Sequence, residues 1–178
     1  YNEPKTLDTA FDVMGDIILS TAAQQYGGFT VPEVDKILAP YAKKSYDRYI
    51  EEFMQYSDPS WVGREEKAIE RALDKVRRDY DQGWQGIEYK LNTVGSSRGD
   101  YPFVTVTLGL GTGQFEKMCS MSLLAVHKGG QGKEGHKKPV LFPKIVFLYD
   151  EKIHGKGKSC EDVFEAGVDC SSKTMYPD

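Results

Sequence analysis

The stretch Phe103-Val104-Thr105-Val106-Thr107-Leu108 alternates apolar and hydroxyl side chains, as a strand does when one of its faces packs against a core. A glycine stretch (109–113) follows, and then a segment with apolar residues at helical spacing, which are Phe115, Met118, Cys119, Leu123 and Val126. The next apolar run, Ile145-Val146-Phe147-Leu148-Tyr149, is continuous and predicts a strand buried on both faces. Strand, helix and strand within about 45 residues form a βαβ unit, so the two strands are expected to be parallel with a right-handed crossover.

The first 92 residues are predicted to be helical, and no strand is expected among them. Thr6 is expected to cap a first helix that ends at Gly27-Gly28, where left-handed backbone is favourable. The apolar residues that predict this helix at steps of three and four are Leu7, Phe11, Met14, Ile18 and Ala22.

Two further helices are expected before residue 93, and one after residue 158. Pro40 is expected either to kink a short helical turn that begins near Val34 or to open a second helix as its first residue. A third helix is expected from about Arg64, with an apolar face formed by Ile69, Ala72, Leu73, Val76 and Tyr80. Near the end of the chain, Ser159 and Asp162 form a weak capping-box pattern for a last helix.

These patterns predict an α/β protein with a mostly helical first half (1–92) and a βαβ unit with parallel strands in the second (93–178). Two parallel strands do not form a stable sheet by themselves. We therefore expect the second half to be an incomplete part of a larger sheet. The sequence begins at Tyr1 rather than at Met, and we expect it to be a segment of a longer protein.

Composition and charge exclude several classes of protein. Of the 178 residues, 39% are hydrophobic and 28% are charged, which excludes a disordered or collagen-like chain. The net charge of −4 argues against a nucleic-acid partner, because binding to the phosphate backbone needs a concentrated basic surface. No apolar run approaches the about 18 residues of a membrane span, so no membrane partner is expected. Cys119, Cys160 and Cys170 form no C-x-x-C pair, and we expect reduced thiols in the cytoplasm.

Three short motifs are typical of binding functions but do not meet the full patterns. The glycine stretch Gly109-x-Gly111-x-Gly113 lies where a dinucleotide fingerprint would lie, but Gln114 occupies the position of the third glycine. A tight strand-to-helix turn is the favoured interpretation, with anion binding at the helix N-terminus as the alternative. The stretch 155–159 lacks the first glycine of a P-loop, and Arg98-Gly99-Asp100 matters for adhesion only in secreted proteins.

The loop at 128–138 is glycine-rich and basic within an acidic chain. Lys133, Lys137 and Lys138 are candidate phosphate ligands, since a mobile lysine loop can close over a phosphate. A solvated crossover loop is the more common alternative. The three histidines have no metal-ligand spacing, so no metal site is expected.

Five stretches resemble the middle part of the anaerobic (class III) ribonucleoside-triphosphate reductases, in the order in which that family has them. They are Ala23-Gln24-Gln25-Tyr26-Gly27-Gly28, Leu91-Asn92-Thr93-Val94-Gly95-Ser96-Ser97, Pro102-Phe103-Val104-Thr105, Phe142-Pro143-Lys144-Ile145-Val146-Phe147 and Cys170-Ser171-Ser172-Lys173-Thr174-Met175-Tyr176-Pro177-Asp178. Together they span nearly the whole chain. The chain is therefore expected to be an internal segment of the large catalytic subunit of such an enzyme.

The resemblance implies a fold and a chemistry for the longer protein. The fold would be a ten-stranded α/β barrel of two half-barrels, to which this segment contributes a helical region and early strands. The reaction would be the anaerobic reduction of ribonucleoside triphosphates to deoxyribonucleoside triphosphates. A glycyl radical, installed by a radical-SAM activase, generates a thiyl radical that abstracts the ribose 3′ hydrogen, and formate commonly supplies the electrons.

The resemblance also implies cofactors and partners outside this segment. They are a C-terminal structural zinc held by four cysteines, ATP or deoxynucleotide effectors, and a second copy of the chain in a homodimer. The helical region 1–92 would contribute to the dimer and effector face. The family's radical and zinc motifs do not occur in these 178 residues, and none of the cysteines has the context of the family's radical cysteine. No catalytic residue is therefore assigned, and the segment alone is expected to be inactive.

Two groups of residues are expected to contact ligands. Parallel-strand ends in barrels carry the active site, which points to Gly109, Gly111, Thr112 and Asp150. The exit of the first helix is expected to contact the effector's base through Gln24, Gln25 and Tyr26, while the three loop lysines hold its triphosphate. The two glutamines equally fit a helix C-terminus that binds its own carbonyls.

Two other functions stay open, a nucleotide-binding α/β enzyme of another family and a non-catalytic regulatory or dimerisation module.

Overall fold

The structure, a computed structural model, describes residues 2–95 and 99–178. Its elements in chain order are α1 (Leu7–Gln24), β1 (Phe29–Val31), α2 (Val34–Tyr56), α3 (Arg64–Thr93), β2 (Val104–Leu108), α4 (Gln114–Gly129), β3 (Lys144–Phe147), α5 (Glu151–His154) and α6 (Glu161–Thr174). The Arg98-Gly99-Asp100 motif and the stretch that begins at Leu91 extend into residues 96–98, outside the described part.

The strands form one parallel sheet in the order β1-β2-β3. Val106 lies in register with Val31 on one side and with Ile145 on the other. β2, α4 and β3 are therefore the predicted βαβ unit, and the α/β class is confirmed. The alternation along β2 is also confirmed, since Val104, Val106 and Leu108 are buried while Thr105 and Thr107 are partly exposed.

The prediction that the first half contains no strand is wrong. β1 lies between Gly28 and Pro32 and pairs with β2. It has three residues, which is too short to show an alternating pattern in the sequence. A Cβ on Gly28 would lie 2.9 Å from the carbonyl oxygen of Phe103, so glycine permits the close approach of the two backbones here.

β3 is shorter and more exposed than its continuous apolar sequence predicts. Ile145 is fully buried, but Val146 and Phe147 are half-buried and Tyr149 is 54% exposed. The prediction that β3 is buried on both faces is therefore wrong within the described part of the chain. The physical reason is that β3 is the last strand in the order of the sheet. On its free side, Asp178 pairs with it, since the N–H of Asp178 donates to Ile145 (3.0 Å) and its carbonyl accepts from Phe147 (2.8 Å).

The two N-terminal helices differ in detail from the prediction. The Thr6 hydroxyl caps α1 as expected and accepts from the N–H of Thr9. The helix ends at Gln24 with extended backbone at Gln25, so the left-handed exit predicted at Gly27-Gly28 is wrong. α2 is one helix with Pro40 inside it, so a separate helix beginning at Pro40 is also wrong.

The core joins both halves of the sequence. α3 packs against α1, α2 and α4, and α4 also packs against α6. Phe11 lies edge-to-face against Trp84 with ring centroids 5.1 Å apart, and similarly against Tyr80. The predicted apolar face of α3 is correct at Ala72, Val76 and Tyr80 but wrong at Ile69, which is 44% exposed. Ala68 takes the buried position instead.

The C-terminal helix is capped differently from the prediction. α6 begins after Cys160, which makes no side-chain capping bond, so the box of Ser159 and Asp162 is wrong. The Glu161 carboxylate instead accepts from the N–H of Gly157 at 2.7 Å. Among the described residues, no helix combines the length and the apolar character that crossing a membrane requires.

Candidate functional site

The glycine turn after β2 is filled by a carboxylate of the protein itself. Asp35, in the first turn of α2, is fully buried, and its Oδ2 accepts from the N–H of Gly111 (2.9 Å) and of Gly109 (3.2 Å). Two backbone N–H groups that converge on one point form an anion site. Here Asp35 supplies the anion, which favours the interpretation of the glycines as a tight turn.

The other side of this turn is bonded as well. His154 Nε2 lies 2.7 Å from the carbonyl oxygen of Gly109, and the Cys160 thiol lies 3.8 Å from that of Gly111. The N–H of Gly113 donates to the Glu116 carboxylate at 2.5 Å. The glycine turn is thus rigidly held, with its amides directed into the protein.

The four predicted strand-end residues lie in different surroundings. Gly109 and Gly111 are buried in the turn just described. Thr112 is exposed beside them. Asp150 caps α5, since its carboxylate accepts from the N–H of Lys152.

A cavity opens at the opposite end of the sheet, where the strands begin. Its volume is about 790 Å³, and its walls come from the exits of α1 and α3 and from the residues that precede β2 and β3. The lining residues include Gln25, Tyr26, Val94, Tyr101, Phe103 and Phe142. Of the described lining residues, Asp100 alone carries a charged side chain.

Four of the described lining residues are aromatic, namely Tyr26, Tyr101, Phe103 and Phe142. The rings of Phe103 and Phe142 pack edge-to-face with centroids 5.0 Å apart, and Phe103 remains 52% exposed. The Lys144 ammonium lies over the Phe103 ring, 5.0 Å from its centroid. Tyr26 is 99% exposed at the rim. An open aromatic surface with an amide beside it is suited to a flat ring.

The structure brings together only part of the predicted effector site. Gln25 and Tyr26 line the cavity, whereas Gln24 is the last residue of α1 and is not among the lining residues. None of Lys133, Lys137 and Lys138 lines it within the described part of the chain.

The lysine loop is held on α3. Backbone hydrogen bonds between Gln131 and Lys138 close the base of the loop. The side-chain amide of Gln131 donates to the carboxylate of Glu88. The same carboxylate lies 2.8 Å from Nδ1 of His127, and both side chains of this pair are fully buried. The pair therefore fixes α3, α4 and the start of the loop relative to one another.

Three residues that matter here were not found from the sequence as site residues. The sequence does not mark Asp35 as a site residue, because an acidic residue in the first turn of a helix is common. Phe103 and Phe142 precede their strands by one and two residues, which made them look like strand or core residues. Their aromatic pairing across 39 positions follows only from the parallel register of β2 and β3.

The cysteines do not form a reactive or metal-binding group. All three are fully buried and unpaired, and burial raises the pKa of the Cys119 and Cys170 thiols. Within the described residues, no group of three or more histidine, cysteine, aspartate and glutamate side chains is placed to hold a metal ion. These thiols do not fit the zinc site that the family resemblance implies.

A parallel sheet with helical crossovers places this chain among the α/β proteins. The family model for anaerobic ribonucleoside-triphosphate reductase matches residues 1–178. The chain belongs to this family, which confirms the resemblance and excludes an α/β enzyme of another family.

Individual relatives agree with the family model. The chain is 35% identical over 176 residues to the anaerobic ribonucleoside-triphosphate reductase of Enterobacteria phage T4, covering 98% of this chain and 28% of that protein. It is 35% identical to the enzyme of Haemophilus influenzae and 34% identical to that of Escherichia coli, again over 98% of this chain and 24% of each relative. The chain thus spans about a quarter of the length of the curated relatives that it matches.

Proposed function

We propose that the full-length protein containing this chain reduces ribonucleoside triphosphates to deoxyribonucleoside triphosphates under anaerobic conditions in the cytoplasm. The observation that carries this proposal is the family match over all 178 residues, together with relatives that bear the reductase name. A substrate triphosphate and a deoxynucleotide effector are the small-molecule partners that follow from it.

The radical chemistry is assigned to other parts of the full-length protein. A glycyl radical installed by a radical-SAM activase would supply the hydrogen-abstracting centre, and a C-terminal zinc would support it. The buried thiols of this segment are held as structural groups, for example by the contact of Cys119 with the Val34 carbonyl at 3.9 Å. This segment therefore contributes binding and support rather than reacting atoms.

The aromatic cavity is proposed to bind the base of the effector nucleotide. Phe103 and Tyr26 offer exposed rings on which a base can stack, and stacking on aromatic side chains stabilises a bound base by about 1–3 kcal/mol. The Gln25 side chain carries both a donor and an acceptor for a base edge. Lys144 is the cation beside the rings, and Lys133, Lys137 and Lys138 are proposed to reach the triphosphate from the loop.

The strand-end residues are proposed to form part of the active-site wall. Thr112 is exposed there, and Gly109 and Gly111 allow a compact turn beside it. Because Asp35 already accepts from the glycine N–H groups, these amides shape the wall instead of binding substrate phosphate. Asp150 holds the start of α5 at the same end of the sheet.

The hydrogen bonds of Asp178 support the proposal that the sheet belongs to a ten-stranded barrel. Its N–H donates to Ile145 and its carbonyl accepts from Phe147, which is the pattern of a parallel bridge opposite Val146. A groove of about 460 Å³ beside this bridge, lined by Phe147, Tyr149 and Phe164, offers apolar surface for the side chains of a fourth parallel strand.

The helical region 1–92 is proposed to contribute to a homodimer. Its outer surface exposes large apolar side chains, among them Ile17, Ile37, Trp61 and Val62. Trp is among the residues enriched at protein–protein interfaces. Size-exclusion chromatography with light scattering, with and without dATP, tests this role, and a monomeric mass in both conditions would contradict it.

The central activity is tested by an anaerobic assay of the full-length protein after activation. We expect deoxyribonucleotide products from ribonucleoside triphosphates, and we expect none from the 178-residue segment alone. Product formed by the segment alone would contradict the assignment of the radical chemistry to other parts of the protein.

A further inference from the structure

Asn92 holds the loop that carries Phe142 against the end of α3. Its Oδ1 accepts from the N–H groups of Leu141 and Phe142, both at 3.1 Å. Its Nδ2 donates to the carbonyl oxygens of Phe142 and Glu88, both at 2.7 Å. Three of these hydrogen bonds join two segments about 50 positions apart in the sequence, and the fourth, to Glu88, lies within α3.

The chemistry of this contact requires an amide side chain. An asparagine amide has two donor hydrogens and two acceptor lone pairs, and all four are used here. The orientation of the amide is fixed by its partners, since two N–H groups face one end and two carbonyls face the other. A carboxylate would meet the two carbonyls with no hydrogen to donate, and an apolar side chain would leave backbone groups unbonded.

The position of Asn92 links this contact to the aromatic cavity. It lies two residues before Val94, which lines the cavity with Gly95, and it fixes the backbone of Phe142, which also lines the cavity. Phe142 in turn packs against Phe103. Asn92 is not itself among the lining residues.

We propose that Asn92 is a positioning residue that holds Phe142, and through it Phe103, in place in the cavity and thereby sets the affinity of the cavity for a deoxynucleoside triphosphate. The inference rests on the proposed effector role of the cavity. A loosened supporting contact displaces the ring without removing it, and binding sites lose affinity when the residues that support them are released.

The test measures the Kd of the full-length protein for dATP, dGTP, dCTP and TTP by isothermal titration calorimetry. Asn92→Asp and Asn92→Ala are expected to weaken the tightest of these four at least tenfold. Asn92→Ala introduces no repulsion and serves as the milder variant if Asn92→Asp fails to fold. Ala68→Gly is the matched control, because it destabilises the same helix at a buried site without touching the contact.

The outcomes separate the inference from the proposed function. Weakened binding in Asn92→Ala but not in Ala68→Gly, at comparable melting temperatures, supports a positioning role. Binding by Asn92→Ala within twofold of wild type, or an equal loss in Ala68→Gly, overturns the inference alone. Failure of the wild-type protein to bind any of the four nucleotides overturns the effector role of the cavity and the inference with it.

Discussion

The carboxylate of Asp35 accepts a hydrogen bond from the backbone N–H of Gly111 at 2.9 Å, so the first turn of α2 is bonded directly to the turn that follows β2. The two residues lie 76 positions apart, one in the helical half and one in the βαβ half of the chain. A second bond from Gly109 reaches the same oxygen. The fully buried Asp35 therefore connects the two halves at the end of the sheet where barrel enzymes hold substrate.

Asp35→Ala is expected to destabilise the chain by about 3 kcal/mol, because it leaves two buried N–H groups without an acceptor. Urea unfolding of the 178-residue chain measures the effect. Asp47→Ala is the matched control, since Asp47 lies on the same helix in an exposed pair with Lys43 and should contribute little. Equal stability of the two variants would contradict the role assigned to Asp35.

Two glycines of α3 are expected to respond to alanine in opposite directions. A Cβ on Gly83 would lie 2.2 Å from the ring of Phe11, which is held by Tyr80 and Trp84, so Gly83→Ala should cost about 1–3 kcal/mol. A Cβ on Gly86 would meet nothing within 4 Å, so Gly86→Ala should stabilise the helix by up to about 1 kcal/mol. The melting temperatures of both variants check this, and a gain in Gly83→Ala would refute the packing described for Phe11.

The stability of the chain is expected to depend on the protonation of Asp79. Burial raises the pKa of Asp79 above its usual value, although the Tyr49 hydroxyl donates to it at 2.5 Å and opposes this. Since the pKa in the folded state is the higher one, the protonated form favours folding. The stabilisation that protonated Asp79 provides is complete below its pKa in the unfolded state, about 4. It is lost as the pH rises through the pKa of Asp79 in the folded state.

Asp79→Asn removes this titration. The stability of the variant relative to wild type should therefore be greater at pH 7 than at pH 3, as measured by urea unfolding across that range. Asp47→Asn serves as the exposed control. A relative stability of Asp79→Asn that falls as the pH rises would show that the sign is wrong.

The three thiols are expected to be unreactive in the folded protein. Cys119, Cys160 and Cys170 are fully buried, and the raised pKa of Cys119 and Cys170 further lowers their thiolate content. Iodoacetamide at pH 8 should label none of them in the native chain and all three in guanidinium, as counted by mass spectrometry. Rapid labelling of the native chain at Cys119 would disagree with its position in the core.

The sequence was sufficient to predict the longer elements because their apolar periodicity is strong. α1, α3, β2 and α4 follow from spacing alone, and the parallel pairing of β2 with β3 follows from the helix between them. β1 is not predictable in this way because three residues show no period, and α2 continues through Pro40, where the sequence allows a new helix to begin. Ile69 lies one position away from the buried stripe, an offset that only the packing of α3 reveals.

The candidate site was less predictable than the fold. Gln25 and Tyr26 are predicted from the family resemblance to contact the effector, and both line the cavity. The contacts of Asp35 with Gly111 and of Asn92 with Phe142 join residues about 50 to 76 positions apart. Such contacts depend on how the helices pack against the sheet, and one sequence carries no local pattern for them.

The proposed effector role of the cavity is tested by the effector response of the activated full-length protein, measured anaerobically with the four ribonucleoside triphosphates in competition. Each deoxynucleotide should shift the product ratio of the wild-type protein. Phe103→Ala should still form deoxyribonucleotides but lose this shift, while Tyr89→Ala, a change at an exposed tyrosine on α3, should keep it. A Phe103→Ala variant whose product ratio still follows the effector, or a wild-type protein that forms no deoxyribonucleotide, would contradict the account.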